Sequence, residues 1–384
     1  MDAPLIFGIE LKFICVYTPD TLTNTQWQDT VSPAHAISYF LHDQGLNGLD
    51  TAPSEESTKW TLSNDDGKLT DTTSNLLPDT HVAKSIELAS PIFRFDHPKC
   101  FIHIRQVLEM LEWGETKFDC HFIINETYGS HVHFACGHIK VPFEVAKRIY
   151  QMFLAHQYNT DSIHAYSRVY VPQRTRRDRV KPARCDVDDQ VLAALFDWLS
   201  KVEECADYGL LYRSFELHVV GVHLDCHNAA VNFDNSYVHR DRAFHYARKS
   251  TKTTIELRQH LATGHIDVIQ RYVKFVNYMI THCAQASEEG FIQTLLAAIC
   301  PMYNFEKLCT AIDLPKEIVA LLRLGQFQEP ASKFSGLAPT RPYSIEGLLS
   351  QNDREYTMNI TKTPEMSAPN ATRSIAVDTT VSNL

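Results

Sequence analysis

At 384 residues and a net charge of −10, the chain is long enough for one large domain or two modest ones. The acidic balance argues against general nucleic-acid binding and against attraction to an anionic membrane surface. Hydrophobic residues make up 44% and charged residues 21%, which suits a globular protein with a sizeable buried core.

Met1-Asp2-Ala3-Pro4 is acidic, and Glu10 and Lys12 interrupt the apolar run that follows. Neither an export signal nor an anchor is therefore expected, and no later stretch has the length to span a bilayer. The ten cysteines include no Cys-x-x-Cys pair. That is the usage of buried thiols in a reducing compartment, so the expected location is cytoplasmic.

Taken in order, residues 6–15 read as a strand with Phe7, Ile9, Leu11, Phe13 and Cys15 on one face. Gly8, Glu10 and Lys12 fall on the other face, because successive side chains alternate. Ser32-Pro33 opens a helix with Ile37, Phe40 and Leu41 as its stripe. Trp60-Thr61-Leu62 leads into Ser63-Asn64-Asp65-Asp66-Gly67, a hairpin-type turn, where an Asp usually serves backbone hydrogen bonding. Residues 83–93 form a strand with Ile86 and Leu88 inward and Glu87 outward. A helix follows from Pro98 to Trp113, then a strand at 118–125. Gly129 to Phe134 is a strand that sets His131 and His133 on one face. There, contact with a metal or a phosphate and a purely structural role stay open as alternatives.

Helices at Pro142–Gln157 and Asp186–Glu204 carry core stripes. Between them, Arg174, Arg176 and Arg177 belong to a basic loop that is either solvated or receives a polyphosphate. Residues 214–224 read as a strand. Cys226-His227 is set aside as a nucleophile pair, since adjacent strand residues point to opposite faces. Thr254, Glu256, Arg258 and His260 alternate with Ile255, Leu257 and the positions beyond, giving a strand with an acid, a guanidinium and an imidazole in a row. Helices at 266–282, 288–299 and 315–324 follow. From Gln328 the chain turns to Pro, Ser, Thr and Asn, the composition of a disordered tail. The expected organisation is one domain at 1–327, with a helical insertion at about 140–205, and a tail at 328–384.

If these strands share one curved, mostly antiparallel sheet, helices cover one face and the other lines a cavity of carboxylates and imidazoles. Several carboxylates in one cavity become tolerable with divalent cations among them. A carboxylate-dominated site suits Mg²⁺ (or Mn²⁺), commonly shared with a nucleotide's phosphates.

Phe7-Gly8-Ile9-Glu10-Leu11, Trp60 with Asp65, Ile86-Glu87 before Ser90-Pro91, Gly129 to His133, and Thr254 to His260 occur in this order. With these residues the chain resembles the putative amidoligase family, within the carboxylate–amine ligases related to glutamate–cysteine ligase and glutamine synthetase. The resemblance is especially to its fungal branch. The resemblance implies an α+β fold whose antiparallel sheet forms a funnel, with helices on the outer face, ATP entering at one end and an amine at the other. It implies that Glu10, Glu87, His131 and Glu256 bind Mg²⁺ (or Mn²⁺), with Asp65 nearby. Arg258, together with Glu256 and His131, would act on the transferring phosphoryl group. Arg174, Arg176 and Arg177 would hold the nucleotide, and His133 and His260 would support the cofactors. The family's first strand usually carries Glu-x-Glu; here Lys12 holds the second position, which implies either that one metal is dropped and Lys12 takes over part of its charge role against the phosphates, or that ligase activity is weakened or lost.

The implied function is ATP-dependent amide-bond formation between a carboxylate and an amine or ammonia, with small-molecule or peptide substrates. Two alternatives stay open. One is a protein of the same fold that binds nucleotide or metabolite without turnover. The other is a metal-dependent hydrolase using His131, His133 and Glu256, which the absence of a His-Glu-x-x-His pattern disfavours.

Overall fold

The computed structural model describes residues 4–18, parts of 34–41, 59–64, 80–118, 120–123, 129–137, 140–164, 189–211, 231–232, 253–261 and 263–324, apart from positions 98 and 301. Asp65, the basic loop with Arg174, Arg176 and Arg177, the expected strand at 214–224 and the tail from 328 lie outside the described residues.

The protein is α+β. Its strands are β1 (Leu5–Tyr17), β2 (Thr61–Asn64), β3 (Val82–Ala89), β4 (Phe93–Arg94), β5 (His121–Ile123), β6 (Gly129–Cys136), β7 (Val231–Asn232) and β8 (Ile255–Leu261). They form one open sheet in the order β2-β3-β1-β6-β8-β7, with β4 and β5 also paired to β1. Every pairing is antiparallel. β1 takes the centre because it is the longest strand and its apolar alternation is unbroken. Phe7, Ile9, Leu11 and Phe13 are all buried.

The helices are α1 (Cys100–Phe118), α2 (Phe143–Ala155), α3 (Gln157–Asp161), α4 (Asp189–Glu203), α5 (Ile266–Gln285), α6 (Glu288–Ala297), α7 (Phe305–Ala311) and α8 (Lys316–Leu324). None of the described helices is long and apolar enough to cross a membrane. They share a core with one face of the sheet, as the Phe7 ring shows. It stacks on Phe101 of α1 at 5.8 Å between centroids and also meets Phe93, Phe95 and Phe134. Such a cluster adds aromatic contact energy to plain area burial. On α5 the buried positions Ile269, Tyr272, Val273, Val276 and Ile280 recur at helical spacing, joined by Phe275, Met279 and Cys283.

Two basic residues of α2 tie the helices together. Arg148 donates Nη1 to the Cys283 and Ala286 carbonyls, at 3.3 and 3.0 Å, at the end of α5. Its Nη2 reaches Glu288 at 2.6 Å. A cation there satisfies carbonyls that the helix leaves unpaired and complements its dipole. Lys147, nearly buried, binds Glu144 at 2.9 Å and Glu203 of α4 at 3.2 Å.

His156, in the joint between α2 and α3, is fully buried and donates Nε2–H to the Thr294 carbonyl at 3.0 Å. Burial lowers its pKa to about 4, with the charge of His282 acting the same way against the Thr294 bond. Between its ordinary 6.5 and about 4, the unfolded chain takes up a proton that the folded chain refuses, so stability falls as pH drops through that window. The expected loss is on the order of 3 kcal/mol. His156→Gln keeps an N–H donor for Thr294 and should flatten the dependence of melting temperature on pH over that range. Phe7→Ala should cost about 3–5 kcal/mol in urea unfolding.

Candidate functional site

Antiparallel register decides which side chains share the face opposite the helices, since residues directly paired lie on one side of a sheet. Gly8 of β1 pairs with His133 of β6, which pairs with Glu256 of β8, which pairs with Asn232 of β7. In the next row Ala89 of β3 pairs with Glu10, and Glu10 with His131. In the third, Ser63 pairs with Glu87 and Glu87 with Lys12. Three strands remote in sequence thus bring two carboxylates and two imidazoles side by side.

Contacts are short and the groups are buried. His131 Nδ1 lies 2.8 Å from Glu10 Oε2 and 3.0 Å from Glu256 Oε1, so this imidazole bridges the two acids. His133 Nε2 lies 2.8 Å from Glu10 Oε1, and its Nδ1 is 3.2 Å from the Thr254 hydroxyl. Arg258 donates Nη1 to Glu256 Oε1 at 2.8 Å. The Glu256 side chain is 3% exposed, which in isolation would favour its neutral acid. Burial does push its pKa up, and so does the Glu10 carboxylate. The charge of His133 and the His131 hydrogen bond outweigh both and bring it to about 2. At Glu10 burial again pushes upward, while His133 and His131 hold the carboxyl well below its usual range. Both acids are therefore anions at neutral pH.

Glu10, His133 and Glu256 can each offer a ligand atom within 4.8 Å of the other two. Two carboxylates and one imidazole are a donor set that fits Mg²⁺ or Mn²⁺. Of the expected ligands, Glu10 and Glu256 converge in this group and His131 lies between them. Glu87 stands on the same face but pairs with Lys12, Nζ to Oε2 being 2.6 Å.

His260 departs from its expected place. β8 fits one extra residue between the pairs Leu257–Val132 and His260–Ser130, a β-bulge. The bulge turns His260 to the helix side, because an inserted residue reverses the alternation beyond it. There its ring meets Tyr272 of α5 at 4.3 Å and His164 at 5.5 Å. Thr254 stands on this face as the strand's alternation places it, though the sequence reading gave it no role of its own. Its alternation with Glu256 and Arg258 was the available signal. Gly8, which the strand's alternation had already placed on the polar face, pairs with His133, and a Cβ there would meet only ordinary contacts with Ser90 and Pro91.

A family model described as "putative amidoligase enzyme" matches residues 3–194. The match includes Glu10, Lys12, Glu87, His131 and His133. Glu256 and Arg258 lie beyond it and are joined to those residues by the sheet. No curated protein matches the chain.

A carboxyl with a depressed folded pKa stabilises the fold above its unfolded value and loses that contribution as pH falls toward the folded one. For Glu256 the window runs from 4.5 down to about 2. Thermal melts in this range should show a steep acid loss for the native protein, and Glu256→Gln should make it shallower.

Proposed function

The chain belongs to the amidoligase family, and from that premise we propose that it is an ATP-dependent ligase joining a carboxylate to an amine or ammonia. The observation that carries the proposal is the buried cluster Glu10–His131–His133–Glu256–Arg258. It concentrates negative charge that an enzyme has no structural reason to bury unless a cation and an anionic reactant are to be held there. A curved, funnel-like sheet with nucleotide and amine approaching from opposite ends is part of the same proposal. So is a cytoplasmic setting, which the buried thiols of Cys283 and Cys309 suit.

Glu10, His133 and Glu256 would hold the divalent ion, which when bound supplies charge neutralisation for phosphoryl transfer. The remaining work belongs to the chain. His131 keeps both carboxylates at fixed separation through its shared N–H. Thr254 orients the His133 ring. Arg258 is positioned by Glu256 with further donors of its planar fork available to a phosphoryl oxygen. A carboxylate is a poor electrophile. Transfer of the terminal phosphoryl group of ATP to its oxygen gives an acyl phosphate and ADP. Attack by the amine on the acyl carbon forms the C–N bond and expels phosphate as the amine loses a proton. Positioning and charge, not a protein nucleophile, would supply most of the acceleration. Arg174, Arg176 and Arg177, with Asp65, remain proposed contacts for nucleotide and metal. The acid and amine are proposed to be small molecules or peptides.

A second reading is favoured by one observation, the engagement of Glu87 with Lys12. It is a protein of the same fold that binds nucleotide without turnover.

Amine-dependent ADP release, screened over amino acids and small peptides, separates the two. The ligase releases ADP only when acid and amine are both present, and Glu256→Gln should lower the rate at least about a hundredfold with an unchanged circular dichroism spectrum. Stabilisation by ATP with Mg²⁺ in thermal melts, without ADP release for any pair, would establish the second reading instead.

A further inference from the structure

One ion pair on the polar face stands apart from the carboxylate–imidazole cluster. Lys12 Nζ is 2.6 Å from Glu87 Oε2, and the two side chains are only 14% and 24% exposed. The pair is fixed by backbone register, with Lys12 of β1 directly opposite Glu87 of β3. Lys12 lies two residues from Glu10 on the same face, about 7 Å along the strand.

Charge on the described part of this face can be counted. Glu10, Glu87 and Glu256 contribute three negative charges; Lys12 and Arg258, paired with Glu87 and Glu256, contribute two positive ones. An imidazole that binds a metal ion must be neutral, and with both imidazoles counted in that form, as in the ion-bound face, three minus two leaves one negative charge. A single divalent ion inverts this to one positive charge, enough to attract a phosphate. A second divalent ion would bring the sum to three positive charges beside a tethered ammonium. Among the described residues the convergent donor atoms form one group, Glu10, His133 and Glu256, and Glu87 is not in it.

We propose that Lys12 is a built-in cation. Its ammonium holds Glu87 in an ion pair and keeps that carboxylate out of the convergent donor group, so that the face takes one divalent ion only, at Glu10, His133 and Glu256. The inference rests on the divalent ion of the ligase reading and deepens it by setting the stoichiometry. An ammonium is a compact point charge that coordinates nothing while protonated. Its share of the positive charge is permanent, whereas that of the bound ion varies with ion concentration. An anionic oxygen arriving at this face meets a fixed charge on the Glu87 side and an exchangeable one on the Glu256 side.

Mn²⁺ titration of the full chain without nucleotide, following free Mn²⁺ by electron paramagnetic resonance, tests this without any activity measurement. The native protein should bind one Mn²⁺ per chain. Lys12→Glu should bind two, because it places a third carboxylate between Glu10 and Glu87. Lys12→Gln keeps a hydrogen-bond donor for Glu87 and should still bind one, with a dissociation constant about tenfold lower, because a positive charge on the same face as the ion is gone. Two ions on the native protein would overturn the inference and leave the ligase reading standing. No ion on the native protein would overturn both. One ion on folded Lys12→Glu, or an unchanged constant for Lys12→Gln, would show that Lys12 stands in for no cation. Lys12→Gln decides the matter if Lys12→Glu does not fold.

Discussion

Two anionic carboxylates, buried side by side and held by imidazole nitrogens, are the constraint around which the molecule is arranged. Burial and mutual repulsion both press Glu10 and Glu256 toward their neutral forms. His131, placed at 2.8 and 3.0 Å from the two acids, and His133 reverse that tendency. The arrangement tolerates no slippage, because a one-residue shift of β6 against β1 would carry both imidazoles to the opposite face. The apolar alternation of β1 and β6 supplies the insurance. Phe7, Ile9, Val132 and Phe134 are all buried, and a slip would expose them together.

The helical layer makes that register costly to change. Helices cover the apolar face, with α1 pressed on the Phe7 cluster and α5 lined by buried residues along most of its length. Arg148 and Lys147 then lock α2 to its neighbours through carbonyls and carboxylates at helix ends. None of these contacts touches the polar face. The scaffold can be optimised for stability while the charged face is kept in an arrangement that, judged by stability alone, a hydrophobic pair would replace at no loss.

Much of the fold was legible because long strands with one face against helices must alternate, and long helices must carry a stripe. β1, β3, β6 and β8, and helices α1, α2, α4, α5, α6 and α8, fall where that periodicity puts them. β4 and β7 are two residues each, too short to show a period. α7 is seven residues, capped by Asn304 through the Lys307 N–H, and too short for its stripe to stand out in the sequence. In the site, Glu10, His131, His133, Glu256 and Arg258 were recognisable because each sits opposite an apolar neighbour on its own strand. His260 was misplaced on the same logic. A bulge is a property of two paired strands, and the second strand's register cannot be seen in the first strand's residues. The Lys12–Glu87 pair was hidden for a related reason, since it needs β1 and β3 aligned across the long stretch that separates them.

The sheet order also bears on when the molecule becomes competent. β1, β3 and β6 lie within the first 136 residues, whereas β8 joins β6 only from residues 255–261. A pairing between segments so distant closes a large loop and is slow by nature. During synthesis the amino-terminal strands can therefore pair as a partial sheet that has Glu10 and both imidazoles yet lacks Glu256 and Arg258. The last described strand to dock is the one that completes the charge pattern, so a nascent chain carries an incomplete cluster until residues 255–261 pair with β6.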